Sequence, residues 1–242
     1  MKTAFYIMIS DDHYYSEGAH IAINSFKRYH PDIDLVVFRQ NTIDKVFKES
    51  GCNWFTAKPV FAKLLMDKYD LVVNIDADHV FTGRLDEVLK GDYEVGATWN
   101  FNDYENSAFE NITEEMYLQA GMVGSTSKKF WNEWDEANKD AMKYLRKEND
   151  ILNLVAYNSP SKFKLKIFDK EKEYYGCKSL GREPKFYVED DKLMCMGEQV
   201  RAYHFARGNV FPKLDIPNMP FTDEVKKWLM DKAFYGNTVT IK

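Results

Sequence analysis

Leu71-Val72-Val73-Asn74-Ile75-Asp76-Ala77-Asp78-His79-Val80-Phe81-Thr82-Gly83 is the stretch on which the reading of the chain turns. Leu71 to Ile75 is a short apolar run of strand-forming residues. It climbs into two aspartates and is followed by a second apolar pair, Val80-Phe81. A continuous apolar run of this length reads as a strand buried on both faces, as in parallel sheets. In open α/β sheets, ligands bind just outside the carboxyl ends of the strands, so acidic residues there face a ligand and not the core. Side chains i and i+2 of an extended chain point the same way, which lets one cation lie between Asp76 and Asp78, or between one of them and a bound phosphate. The competing reading is a surface turn, since Asp is common where strands end.

Upstream, Ala4 to Ile9 is a compact apolar run that ends in Ser10-Asp11-Asp12, a second case of acidic residues at a strand end. Ser16 reads as the N-cap of a helix with Ala19, Ala22, Ile23 and Phe26 on its apolar face, stopped by Pro31. Leu35 to Phe38 is the next strand. Strand, helix and strand in this order form a βαβ unit and imply a parallel sheet. Pro59 suits the first turn of a helix with Val60, Phe61, Leu64 and Leu65 on its buried stripe; Lys63 falls off that stripe.

Downstream, Glu94 to Thr98 reads as a strand, and Trp99 to Glu115 shows no period. Its Trp99, Phe101, Tyr104 and Phe109, mixed with Asn and Asp, suit a substrate wall, because pyranose rings offer one apolar face and a hydroxyl-rich edge. Gln119 to Gly124 is a small-residue strand. Ser127 caps the most periodic helix, with Phe130, Trp134, Ala137, Ala141 and Tyr144 at helical spacing. Glu148-Asn149-Asp150 opens another helix, where acidic groups also complement the helix dipole. Phe163 to Tyr203 reads as short strands and loops with an aromatic patch at Tyr174-Tyr175, and Thr222 caps a last helix with Val225, Trp228 and Leu229 inward. No repeat or composition break divides the chain, so one domain is expected.

At 242 residues, 45% hydrophobic and 29% charged, the chain can bury a full core without staples. A net charge of -5 gives no basic field for nucleic acid. Cys52, Cys177 and Cys195 form no Cys-x-x-Cys pair, which fits a reducing, cytoplasmic setting and argues against a zinc ribbon. No apolar run reaches the ~20 residues of a membrane span, and the first residues read as a strand and not a signal peptide.

Six stretches in order resemble the retaining family 8 of nucleotide-sugar glycosyltransferases, which includes glycogenin and the lipopolysaccharide galactosyltransferases. They are Asp11-Asp12-His13-Tyr14, Ala62-Lys63-Leu64, Asp76-Ala77-Asp78, Gln119-Ala120-Gly121, Glu148-Asn149-Asp150-Ile151-Leu152-Asn153, and His204-Phe205-Ala206-Arg207-Gly208 with its Pro212. The resemblance implies a single GT-A (Rossmann-like) domain: a mostly parallel sheet flanked by helices, with a smaller mixed sheet. Residues 1–98 would form the nucleotide-binding half, 99–213 the acceptor and metal half, and 214–242 a tail and helix. It implies transfer of a hexose from a nucleotide sugar, expected to be UDP-linked, to a glycan or other hydroxyl acceptor with retention. Asp76, Asp78 and His204 would hold Mn²⁺, with Mg²⁺ as the alternative. Asp11 and Tyr14, or Tyr15, would hold the base. Lys63, Arg207 and Gly208 would serve the diphosphate or sugar, while Asp150, Asn149 and Gln119 would face the transferred sugar. Gln119 stands where the family has Asn and Asn149 where it has Gln; the tail motif has an extra residue before Gly208, leaving Arg207 or Lys213 for its missing lysine.

Two other readings stand beside this one. Asp76-Ala77-Asp78-His79-Val80 also matches the opening motif of haloacid-dehalogenase-type phosphohydrolases, with Asp76 as nucleophile and Glu189-Asp190-Asp191 as a later acidic pair. A catalytically silent GT-A-like binding module would keep the same pattern.

Overall fold

A computed structural model describes residues 1–11, 13–99, 111–113, 116–168, 174–176, 186–195, 197–204 and 221–234. In chain order the elements are β1 (Thr3–Met8), α1 (His13–Tyr29), β2 (Asp34–Phe38), α2 (Gln40–Ser50), α3 (Lys58–Leu65), β3 (Leu71–Ile75), β4 (His79–Phe81), α4 (Asp86–Leu89), β5 (Val95–Trp99) and β6 (Leu118–Ser125). There follow α5 (Lys128–Asn138), α6 (Glu148–Asn158), β7 (Leu165–Phe168), β8 (Tyr174–Gly176), β9 (Phe186–Glu189), β10 (Lys192–Cys195), β11 (Glu198–Gln199), β12 (Ala202–His204) and α7 (Asp223–Leu229). They pack as two compact units: Met1–Met8, Val36–Ile75 and Asp86–Phe168 in the first, and Ile9–Leu35, Asp76–Leu85 and Asp169–Lys242 in the second.

The first unit holds the six-stranded sheet, in the order β2-β1-β3-β6-β5-β7. Thr3 to Tyr6 pair in parallel with Leu71 to Asn74, and Val95 to Thr98 with Leu165 to Phe168. β6 runs antiparallel to both β3 and β5, so β1, β3, β5 and β7 point one way and β6 against them. Every residue of β3 is buried, including its one polar residue, Asn74, whose Nδ2 donates to the Ala120 carbonyl at 3.1 Å. Pro59 sits in the first turn of α3, where its missing N–H costs nothing. Ser127 caps α5 by accepting from the Phe130 amide at 3.3 Å. Phe130, Trp131 and Trp134 of α5 are all fully buried, with the two indoles stacked 5.6 Å apart.

Four details depart from the sequence reading. Ser16, read as an N-cap, lies inside α1, which begins at His13. Leu64 is 53% exposed, because Phe61, Ala62 and Leu65 already fill the inner face of α3. The helix expected through Tyr144 ends at Asn138: the Lys139 and Asp140 amides bond back to Glu136 and Ala137 in a tightened last turn, and Ala141–Lys143 forms a separate 3-10 turn. Helix α2 had no counterpart in that reading. Among its residues only Ile43 is fully buried, and Gly51 ends it in the left-handed region at φ 73°.

In the second unit β4 and β12 are antiparallel, with Phe81, Val80 and His79 opposite Ala202, Tyr203 and His204. β8 adds to β12 in parallel, while β9, β10 and β11 form a separate antiparallel sheet. Val80, Phe186, Leu193, Val200, Tyr203, Phe221 and the inner face of α7 make the core. Helix α1 braces β4. The Phe81 amide donates to Ser25 Oγ at 3.1 Å, and the Phe26 ring meets Phe81 edge-on at 5.3 Å and stacks on His30 at 4.4 Å. His30 is fully buried. Its Nε2 accepts from the Leu85 amide at 2.9 Å and its Nδ1 donates to the Phe26 carbonyl at 3.1 Å, which fixes the neutral ring in one tautomer.

Arg84 closes the α1 end with a two-pronged bond to Asp32, at 2.6 and 2.7 Å. The Arg84 hydrogen bonds hold the Asp32 carboxyl well down, at about 2. Because the native pKa is depressed, the stabilisation is present above the ordinary carboxylate value and is lost as pH falls through about 2. In thermal melts run from pH 5 down to pH 2, Asp32→Asn is expected to lose less of its midpoint than the wild type over that interval, starting from a lower value at pH 5.

Candidate functional site

β4 is three residues long, and its register against β12 makes the site. Residues directly opposite in an antiparallel pair present their side chains on the same face. The pairing therefore sets the His204 ring on the His79 ring, 4.2 Å apart and 8° from parallel. His204 Nε2 then lies 3.0 Å from Asp78 Oδ1 and 3.8 Å from Asp76 Oδ2. Both imidazoles are buried, whereas the Asp76 and Asp78 side chains are 29% and 25% exposed.

The turn that carries the carboxylates is closed by His79 itself. The Asp76 carbonyl accepts from the His79 amide at 3.3 Å and from His79 Nδ1 at 3.2 Å. Asp78 Oδ1 is buried and lies 3.0 Å from His204 Nε2. Burial acts to raise the Asp78 pKa, and the charges of His204 and His79 together with hydrogen bonding outweigh it. The carboxyl thus sits below its usual range.

A buried carboxylate oxygen facing imidazole nitrogen is a donor set that suits a divalent cation. Asp78, His79 and His204 each offer a ligand atom, all within 4.8 Å of one another. Mixed oxygen and imidazole ligation is compatible with Mn²⁺ and with other first-row ions.

The remaining expected residues fall in several places. Asp11 is exposed after β1, and Tyr14 and Tyr15 lie within α1, their side chains outside the described residues. Arg207, Gly208 and Lys213 are outside the described residues, as are Phe101, Tyr104 and Phe109. Lys63 is bonded to Asp135 of α5, a bridge between two helices of the first unit. Asp150 is fully buried, with one oxygen taking the Tyr117 hydroxyl at 2.8 Å and the other the Arg146 amide at 3.0 Å. Asn149 Oδ1 accepts from the Ala120 amide at 2.8 Å, and Gln119 Oε1 faces the Thr98 hydroxyl at 3.5 Å. Asp150 and Asn149 thus tie the start of α6 to β6 and its surroundings.

Three side chains escaped the sequence reading. His79 lies inside the deciding stretch, but only pairing with a distant strand reveals its role. Lys58 is almost fully buried and donates to the Ala120 carbonyl at 2.9 Å and to Glu148 Oε1 at 3.0 Å. The available signal was a cation in the first turn of a helix, where the dipole disfavours it. Glu148 is the partner that holds the ammonium.

No protein-family model matches the chain, and no curated protein does. Solved structures match. The chain is similar to the bifunctional glycosyltransferase WbbM, with a TM-score of 0.53 and 19% identity over 72% of this chain and 40% of that one, so it spans two fifths of WbbM. It is similar to the galactosyltransferase LgtC, solved with donor and acceptor sugar analogs, at a TM-score of 0.51 and 14% identity over 84% and 87% of the two chains. It is also similar to mouse xyloside xylosyltransferase 1, at 0.55 and 11% identity over 88% and 100%. The chain has the GT-A fold. Within this GT-A chain the phosphohydrolase reading is not favoured: Asp191, half of its second acidic pair, is a brace that accepts from Trp228 Nε1 at 3.0 Å and Lys232 Nζ at 2.6 Å. Among the described residues no helix is long and apolar enough to cross a membrane.

The Lys58–Glu148 pair should behave as a buried ion pair. Lys58→Met is expected to cost about 3 kcal/mol in urea unfolding, since it strands a carboxylate, and Lys58→Met with Glu148→Leu to cost clearly less than Lys58→Met alone.

Proposed function

We propose that this chain is a metal-dependent glycosyltransferase that moves a hexose from a nucleotide sugar, UDP-linked, to a hydroxyl acceptor with retention. The observation that carries it is the approach of His204 Nε2 to both aspartates of the Asp76-Ala77-Asp78 turn, at 3.8 and 3.0 Å, in a chain of GT-A fold. Asp76, Asp78 and His204 would hold the cation, which when bound supplies Lewis-acid neutralisation of a departing diphosphate.

Each remaining role belongs to the chain's own residues. Asp11 accepts hydrogen bonds from the base, and Tyr14 or Tyr15 stacks on it. Arg207, Gly208 and Lys63 bear on the diphosphate or on sugar hydroxyls. Lys58, held between Glu148 and β6, is the pre-ordered lysine of α3. Asn149 and Gln119 face the sugar, and Asp150 acts by ordering the turn that presents them. In the reaction the bond from the anomeric carbon to the diphosphate oxygen breaks, the acceptor oxygen bonds to that carbon on the same face, and the acceptor proton passes to the departing phosphate.

The LgtC structure with donor and acceptor sugar analogs supports a two-substrate transfer. The test is incubation with Mn²⁺ and a panel of nucleotide sugars, followed by chromatography of the released nucleotide. Turnover is expected, with chelation abolishing it and with Asp78→Asn and His204→Ala each lowering it by at least about 100-fold, beyond the cost of losing an outer partner of a ligand. Binding of nucleotide sugar without turnover would make the chain a silent binding module. Release of phosphate from phosphomonoesters instead would restore the hydrolase reading.

A further inference from the structure

His79 touches both the Asp76–Asp78 turn and the His204 ring. Its Nδ1 donates to the Asp76 carbonyl at 3.2 Å, while its own amide donates to the same oxygen at 3.3 Å. The two bonds close the turn on which both carboxylates stand. Its ring lies flat on the His204 ring across the β4–β12 pair, at 4.2 Å and 8°. On its other side the column continues through Phe81, 6.0 Å away and 17° from parallel, to Phe26 and His30 of α1. His79 is 2% exposed, so its orientation is fixed by packing.

Two roles are open to such a ring: a direct ligand through Nε2, or a positioner of the other ligands. Stacking decides between them. The in-plane lone pairs of two nearly parallel imidazoles 4.2 Å apart run along parallel planes and do not meet at one point, while His204 Nε2 is the nitrogen within 3.0 Å of Asp78. With Nδ1 committed to the Asp76 carbonyl, Nε2 is the nitrogen left to ligate, and its lone pair lies in the plane of the stacked ring.

Resting on the function proposed above, we infer that His79 is a positioning residue of the cation site, which sets the His204 ring by stacking and the Asp76–Asp78 turn by its Nδ1 bond, without ligating the ion. Loss of an outer partner of a ligand typically weakens metal affinity 10- to 100-fold. His79→Ala removes both restraints. His79→Phe keeps the stacked, buried ring and removes only the Nδ1 bond. His79→Asn keeps a short donor for the Asp76 carbonyl and removes the stack.

The probe is Mn²⁺ alone, titrated into the full chain, with free Mn²⁺ counted by its paramagnetic resonance signal and folding followed by circular dichroism. His79→Ala is expected to weaken Mn²⁺ binding by about 10- to 100-fold, with His79→Phe and His79→Asn each recovering part of the loss. His79→Phe and His79→Asn both binding as weakly as His204→Ala would make His79 a ligand and overturn the inference, as would His79→Ala binding like the wild type. His204→Ala and Asp78→Asn separate the two levels. If they bind Mn²⁺ as the wild type does, the cation site itself falls; if they lose it while His79→Ala keeps it, only the role of His79 falls. Should His79→Ala fail to fold, His79→Phe and His79→Asn still decide: retention to within about tenfold in either supports positioning, and loss in both comparable to that of His204→Ala excludes it.

Discussion

The site depends on a ladder of three residue pairs. β4 and β12 are far apart along the chain, and their antiparallel register alone brings an imidazole to two carboxylates. Side-chain direction alternates along a strand, so a slip of one residue would turn His204 to the opposite face of the sheet. The register is secured beyond the ladder. The Thr82 and Gly83 amides donate to the Arg201 carbonyl at 2.9 and 3.2 Å, the Thr82 hydroxyl bonds to the Val200 carbonyl, and Arg201 Nη1 reaches the Arg84 carbonyl at 2.6 Å. A short ladder is thus pinned at its far end by contacts that leave His79 and His204 at the other.

The first unit solves a different problem, that of keeping polar groups inside a core. A buried polar atom is tolerable when its partners are built in. The Ala120 carbonyl receives Lys58 Nζ and Asn74 Nδ2, and its amide bonds to Asn149 Oδ1. Asn153 takes the Leu118 amide and donates to the Leu118 carbonyl, as a strand neighbour would. Tyr6 Oη donates to the Lys58 carbonyl at 2.5 Å, linking β1 to the start of α3. Side chains of α6 thereby complete the hydrogen bonding of β6, and the polar residues at 149, 150 and 153 acquire a packing reason apart from any ligand.

Much of this was legible in the residues. The largely apolar run from Leu71 to Ile75 announced the buried strand, Ser127 and Thr222 announced their helices, and the order of motifs announced the fold. What the sequence left hidden lies in long-range pairing. Nothing local marks His79 as the neighbour of His204, because a cross-strand contact is a property of register and not of composition. Lys63 and Lys58 are a turn and a half apart on one helix, and only packing shows that Lys58 is the buried one while Lys63 reaches Asp135. Helix α2 went unread although Ile43, Val46 and Phe47 recur at helical spacing and pack on the core. Leu64 shows the converse, an apolar residue at helical spacing left outside.

The bond from the Phe81 amide to Ser25 has a consequence for what this molecule can bind. β4 is the outer strand of its three-stranded sheet, and an outer strand usually offers amides to any extended peptide that approaches. Here the amides of His79 and Phe81 are already taken, by the Asp76 carbonyl and by the Ser25 hydroxyl. Those two amides are therefore closed to an incoming extended chain, and recognition along this border falls more heavily on side chains.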